Sequence, residues 1–388
     1  MEMKVFDYEL LKRKLTERNE KDIAEGMIFC SQVIIDQCGR RVYDAEYGTN
    51  GLHGERLKKD AIFRIASMTK PVTVLAVLQQ VEKGNIDLNA PLSEYIDGYK
   101  DLPTGKIVDG KFTITGKSKT PIRLYHLFSH TSGVESGDIC NEFTAKMNES
   151  EKATLKDVVE YFSDKPLFFE TGTAQSYSPH VAFDIGARIV EKASGLDYAT
   201  YVKKNITDPI GMEDTTFHPT EDQWQRVVKM HALDENGKMT ESKDDHEHIY
   251  GTNPLTYCCG GAGLISTAED YSLFAETLLS GGVAPNGKRI IGEKFLKEMS
   301  TPYCPIKFMD EGTQKTGVTW GLGVRVFTNG DGKLPQGTFG WSGAYGTHFW
   351  VDPVNKITAI YMKNSMSNGG AGAFTAENFE DDVLSCLK

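Results

Sequence analysis

The chain has 388 residues, 39% of them hydrophobic and 25% charged, with a formal net charge of -11. That length exceeds the usual single core and predicts two lobes or one elaborated domain, and the composition is that of a soluble globule rather than a disordered chain. The acidic balance sets the overall field against a phosphate backbone, which argues against a nucleic-acid partner, and no apolar run approaches the roughly 20 residues of a membrane span.

The segment from Met1 to Tyr8 has neither the basic nor the apolar stretch of a secretory signal, so the expected location is the cytoplasm. Periodic apolar positions at Tyr8, Leu10, Leu11, Leu15 and Ile23 predict an amphipathic helix over about 7–25. Two β-type runs, Met27 to Ile35 and Arg41 to Tyr47, flank Cys38-Gly39 and predict a hairpin. A nearly uncharged helix then carries Ser67 and runs to Lys83, with Gly84-Asn85 as its stop signal. Such a helix suits burial between two layers.

From Asp87 to about Pro305 the periodicity is mainly helical, with helices predicted at 122–129, 154–163, 181–194, 197–205, 267–280 and 292–299. Strands return over Trp320 to Phe327, Gly346 to Val351 and Ile357 to Met362, and a last helix is expected over Ala371 to Leu387. Seven cysteines, at 30, 38, 140, 258, 259, 304 and 386, are odd in number and lack metal-type spacing, which predicts reduced, mostly buried thiols. Strand-rich ends around a helical middle predict an α+β fold. Residues 1–86 and 312–388 would share a sheet, 87–311 would form a helical domain, and the site would lie between them.

Ser67-Met68-Thr69-Lys70 sets a hydroxyl and an amine three residues apart, on one face of the uncharged helix. A serine hydroxyl is a weak nucleophile without a base, and a lysine serves as one only when desolvated, which the following Pro71 to Leu78 would provide. The stretch Phe63 to Pro71 resembles the serine β-lactamase and penicillin-binding-protein superfamily, in the branch of class C β-lactamases and family VIII carboxylesterases. The resemblance spans about residues 25–365 and implies a β-lactamase/transpeptidase-like fold, an antiparallel sheet flanked by helices beside an all-helical lobe. Many relatives in that superfamily are exported, and the missing signal departs from them.

The segment Pro166 to Ser178 resembles the superfamily's loop into a catalytic tyrosine, and Tyr177 is the match. The resemblance gives its phenol the task of relaying the Ser67 proton. Two residues later β-lactamases carry an asparagine, whereas this chain has Pro179, which has no amide for a β-lactam's acylamino group. On the strand walling the site, Trp341-Ser342-Gly343 stands where β-lactamases write K-T-G. Tryptophan replaces the cation there with an aromatic face, which favours a neutral ester or thioester over an anionic antibiotic. Transferred family geometry makes the backbone N–H groups of Ser67 and Ala344 the oxyanion hole, with Trp341, Ser342, Gly343 and Tyr345 against the substrate.

Other motifs carry less. Lys315-Thr316-Gly317 spells K-T-G but precedes the expected hairpin and reads as a loop, and Ser163-Asp164-Lys165 ends a helix. Leu127 to Gly133 and Gly260 to Thr267 resemble family segments of structural use, with no P-loop lysine to make the latter a phosphate cradle. Cys258-Cys259 reads as packed thiols, and Asp244 to His248 as a solvated loop rather than a metal site. No G-x-S-x-G elbow is present. The implied activity is that of a serine hydrolase acting through an acyl-enzyme on small or aryl carboxylic esters, with no cofactor or metal and a small-molecule ester or amide as partner. The alternatives are a β-lactamase, a D-amino-acid peptidase or an acyltransferase of the same superfamily, and, from another class, a non-catalytic binding scaffold.

Overall fold

A computed structural model describes residues 3–134, 153–241, 257–329, 333–370 and 373–388. Its strands in chain order are β1 (Cys30–Gln37), β2 (Arg40–Gly48), β3 (Ile62–Arg64), β4 (Pro103–Val108), β5 (Lys111–Lys117), β6 (His231–Leu233), β7 (Met239–Glu241), β8 (Ile265–Thr267), β9 (Val318–Trp320), β10 (Arg325–Phe327), β11 (Phe339–Ser342), β12 (His348–Asp352) and β13 (Ile357–Met362). One antiparallel sheet holds seven of them in the order β2-β1-β13-β12-β11-β10-β9. The β1–β2 turn at Cys38 and Gly39 takes φ of 53° and 70°, a left-handed pair that matches the twist of the strands it joins. β1 then pairs on its other side with the last strand, Gln32 opposite Met362. The chain ends meet as well, since the Asp7 N–H donates to Cys386 O and Phe6 bridges Leu387.

Period-two alternation sorts the sheet into two faces. Val33, Ile35, Trp350, Ala359 and Tyr361 pack against Leu11 and Leu15 of the helix Tyr8–Ala24 and against Phe379 and Val383 of the C-terminal helix Phe374–Leu384. Ile34, Phe349 and Ile360 face the main core, where the helix Ala268–Leu279 lies on the sheet. Tyr271 meets Phe349 edge-on at 5.0 Å, and Thr358 Oγ1 donates to Glu276 Oε1. This helix lies within residues 87–311, expected to form a helical domain, yet packs on the sheet.

The helix Thr69–Glu82 buries all residues from Thr69 to Gln80. Val72, Leu75 and Leu78 each contribute about 1.5–3 kcal/mol by leaving water. Against it packs the helix Val181–Ser194, whose Gly186 makes room for the Phe128 ring: a Cβ there would meet Phe128 Cζ at 2.7 Å.

The structure departs from the sequence expectations in three places. The run from Trp320 to Phe327 is not one strand but the hairpin β9–β10, turned at Gly321 and at Gly323, whose φ is 71°. The stretch 103–117, expected within a helical region, is the hairpin β4–β5, turned by Asp109-Gly110 with φ of 51° and 76°. Lys315-Thr316-Gly317 is the end of a short helix, Glu311–Thr316, closed by left-handed Gly317, rather than a loop. The expected solvated cluster Asp244 to His248 lies outside the described residues.

Candidate active site

Ser67 sits at the corner where β3 gives way to helix, in the turn Ala66–Met68 that feeds Thr69–Glu82. Ala66 holds φ at 43°, a conformation that costs a non-glycine residue of order 1–3 kcal/mol and recurs where geometry is functional. The turn is pinned from both sides: Met68 N–H and Thr347 Oγ1 both donate to Ile65 O, and Ile65 N–H donates to Leu264 O.

Three reactive groups converge there. Lys70 Nζ lies 3.2 Å from Ser67 Oγ, and Tyr177 Oη lies 2.9 Å from the same oxygen. Lys70 is 0% exposed, yet its amine donates to Pro179 O at 2.6 Å and to Gly261 O at 2.8 Å. It also lies 5.0 Å from the Tyr177 ring centre and 4.9 Å from that of Phe183. No carboxylate pairs with it among the described residues. Trp341 Nε1–H donates to Tyr177 Oη at 3.1 Å, which leaves the phenol proton free to face Ser67.

The segment resembling S-H-T-S-G holds this tyrosine in place. His130 O accepts from Ser176 N–H and His130 Nδ1 accepts from Ser178 N–H, so one residue grips the backbone on both sides of Tyr177. The ring packs 4.6 Å from Tyr177 and 4.3 Å from Trp320. Burial, with Lys70 and Arg325 nearby, pushes its pKa well below the usual histidine value and keeps it neutral.

The glycine-rich loop serves the lysine. Asp184 Oδ1 accepts from Gly260 N–H, its Oδ2 accepts from Tyr257 Oη–H, and Thr73 Oγ1 donates to Gly260 O. These bonds aim Gly261 O at Lys70. A side chain at 261 would put a Cβ 2.6 Å from Pro179 O, the other carbonyl on Lys70, so only glycine fits there. Cys258 and Cys259, just before the loop, are buried, and burial raises the Cys258 thiol to about 12, as expected of inert packed thiols.

The wall strand divides its residues between two faces. Trp341 turns to the cleft, 5.5 Å from Tyr177 and edge-on to Trp320 at 4.5 Å. Gly343 fits close to the serine turn, where a Cβ would lie 2.4 Å from Ile65 O. Ala344 is exposed, and its N–H has no partner among the described residues. Two residues expected against substrate have their side chains elsewhere. Ser342 points to the opposite face, 2.7 Å from His348 Nδ1, because alternation along β11 sends it away from Trp341. Tyr345 is buried in a small cluster with Ala66 and Met230, as support for the serine turn.

Arg325 was missed by sequence reasoning. It enters from β10, with its guanidinium 5.0 Å from the Trp341 ring centre and 5.8 Å from that of Trp320. A charged residue inside the apolar run Gly321 to Phe327 was the available signal.

Known proteins resemble this chain in sequence and in fold. The family model "Beta-lactamase" matches residues 13–379. Protein Rv1367c of Mycobacterium tuberculosis is 28% identical, covering 84% of this chain and 81% of its own length. Esterase EstB of Burkholderia gladioli is 25% identical, covering 83% and 82%. The structure of EstCE1, described as a hydrolase with promiscuous acyltransferase activity, superposes with a TM-score of 0.81 at 21% identity, over 97% of this chain and 99% of that one. With its fold matched across nearly the whole length and its sequence matched from residue 13 to 379, the chain belongs to the Beta-lactamase family.

Proposed function

We propose that Ser67, Lys70 and Tyr177 perform acyl transfer on carboxylic esters of small or aryl alcohols. The chain is a serine hydrolase of carboxylesterase-like type, as its family and its resemblance to EstB indicate. The observation that carries the assignment of residues is the meeting of an amine and a phenol on one serine oxygen, at 3.2 and 2.9 Å.

An uncharged Lys70 amine has two N–H bonds, which the carbonyls of Pro179 and Gly261 accept, and one lone pair, which is left for the Ser67 hydroxyl. Ser67 gives its proton to that lone pair as Oγ attacks the ester carbonyl. The negative oxygen of the tetrahedral intermediate takes hydrogen bonds from the N–H groups of Ser67 and Ala344, each worth about 10²–10³ in rate in comparable sites. As the ester C–O bond breaks, Tyr177 passes a proton to the departing alkoxide and regains one from Lys70. Water then repeats the sequence on the acyl-enzyme, with Lys70 and Tyr177 taking its proton, and frees the acid.

Pro179 supports the ester reading over a β-lactam. It offers no side-chain amide, and its carbonyl is already used by Lys70. The six described cysteines are all free, and five are buried, which supports a reducing compartment such as the cytoplasm. Among the described residues no helix is long and apolar enough to cross a membrane.

The test is a fluorophosphonate probe followed by intact mass, alongside turnover of 4-nitrophenyl butyrate. The wild type gains one label and hydrolyses the ester, and Ser67→Ala does neither while keeping its melting temperature. Labelling or turnover that survives in Ser67→Ala dismisses the assignment.

A further inference from the structure

Hairpin β4–β5 has an apolar side and a basic side. Its register pairs Ile107 with Phe112 and Gly105 with Ile114, and residues paired across an antiparallel ladder share one face. Ile107 and Ile114 are 48% and 58% exposed, and Phe112 lies beside Gly105 and stacks on Phe168 at 5.6 Å. The opposite face pairs Lys106 with Thr113 and Lys111 with the exposed Val108. Two strands alone have no second layer to cover such isoleucines.

Only one edge of the hairpin is free. Gly105 N–H donates to Leu167 O and Leu167 N–H to Pro103 O, so the chain leading towards Tyr177 covers the outer side of β4. β5 has no such neighbour among the described residues, and Lys111 and Lys117 stand at its two ends, where lysines oppose the addition of another strand.

Charge marks the same hairpin. Between residues 100 and 119 five lysines, at 100, 106, 111, 117 and 119, stand against Asp101 and Asp109, in a molecule whose net charge is -11. No ion pair among the described residues engages any of the five. Glu170, which touches this segment, is taken up by Ser118 Oγ and by the N–H groups of Lys119 and Thr120. At the foot of the hairpin a cavity of about 270 Å³ has Lys100 and Lys119 in its lining, with Asp101 the one acid there, so the positive charge runs from tip to base.

A second copy docked about a two-fold axis would set these lysines against one another. A nucleic-acid backbone would meet the lysines but give the isoleucines nothing to bury against. An anionic bilayer matches both sides: its acyl region takes Ile107, Val108 and Ile114, while the lysines hold their amines among the headgroups. Charges on the acidic remainder are screened beyond about 8–10 Å at physiological salt, so the field at the hairpin is local. We infer that hairpin β4–β5 docks the protein peripherally on an anionic lipid surface, a property independent of the acyl-transfer reading.

The test is cosedimentation of the full chain with vesicles of equal parts phosphatidylcholine and phosphatidylglycerol, against vesicles of phosphatidylcholine alone. The wild type binds the anionic vesicles in preference, and binding weakens as salt is raised. Lys106→Gln/Lys111→Gln lowers the partition coefficient about tenfold or more, at about fivefold per lysine. Ile107→Ser/Ile114→Ser lowers it by about tenfold or more through lost apolar burial, and both variants keep the wild-type melting temperature. Equal binding to the two kinds of vesicle, or to neither, overturns the proposal, as does binding that the lysine changes leave intact. Binding that the isoleucine changes leave intact means a site for soluble polyanions such as acidic proteins, and a lipid-free dimer dissolved by those changes assigns the face to a second copy. Either result overturns the lipid surface.

Discussion

Two lysines, Lys70 and Lys363, are 0% exposed, and their surroundings could hardly differ more. Lys70 stands among three oxygens, two of them fixed carbonyls, between the faces of Tyr177 and Phe183. Lys363, at the end of β13, has Asn368 O as its hydrogen-bond partner and packs under Gly346, where a Cβ would touch its Cε. Around it lie the buried Asp22 and His231, and both ring nitrogens of His231 are without partners among the described residues. Burial alone therefore does not mark a catalytic amine. What separates the two is a hydroxyl within reach and acceptors that fix where the lone pair points.

The sharpest way to break this comparison is to shorten each lysine. Lys70→Met is expected to cut kcat for 4-nitrophenyl butyrate by at least about 10³-fold, since base and nucleophile act as a unit. Lys363→Met should leave kcat within a few-fold. Stopped-flow or steady-state rates on both variants check the pair, and equal losses would erase the distinction.

Next in size is Tyr177→Phe. It removes the group that donates to Ser67 and leaves the Trp341 indole N–H without its acceptor. The expected fall in kcat is about 10²–10⁴-fold, with a stability loss of about 1–3 kcal/mol for the unpaired indole. A loss in KM alone would mean that the phenol only shapes the pocket.

The smallest effect concerns pH. Burial lowers Lys363 from 10.5 to about 7, with Asp22 opposing. Between about 7 and 10.5 the unfolded chain holds a proton there that the folded chain does not, so stability rises with pH across that window, and the penalty is fully present below about 7. His231, lowered from 6.5 to about 3 by burial and Lys363, adds a further loss as pH falls from 6.5 to 3. Asp270, raised by burial from 3.8 to about 6, acts in the opposite sense between those values. Stability should therefore climb from pH 7 to about 8, by at most about 1.4 kcal/mol per pH unit, until the thiols of Cys30, Cys258 and Cys304, raised by burial from 9.0 to about 12, 12 and 11, act in the opposite sense; melting temperatures read the climb, and Lys363→Met should flatten it.

The meeting of Ser67, Lys70 and Tyr177 on which the proposed chemistry rests was legible in the sequence, because the spacing of Ser67 and Lys70 puts them on one helix and Tyr177 stands in a recognisable loop. The groups that aim Lys70 were not. Asp184 and Gly260 are far apart in the chain and meet only through packing. In the fold, the long helices at 69–82 and 181–194 followed from periodicity, and β13 appeared over the very residues expected. Hairpin β4–β5 was overlooked in a stretch taken as helical, although Asp109-Gly110 is a strong turn signal between alternating residues. The single strand expected at Trp320 to Phe327 failed on two glycines, at 321 and 323, that turn the chain back on itself.

The pairing of β1 with β13 also has a consequence for synthesis. The N-terminal hairpin leaves the ribosome early, but the strand that completes its other side, and β11 with its Trp341 wall, are among the last segments made. Until then a flat apolar edge stands open while the serine, its lysine and its tyrosine have already emerged, a state in which nascent chains are prone to stick to one another. A ribosome that stalls before residue 339 would release a chain bearing every reactive side chain and no sheet to assemble them on.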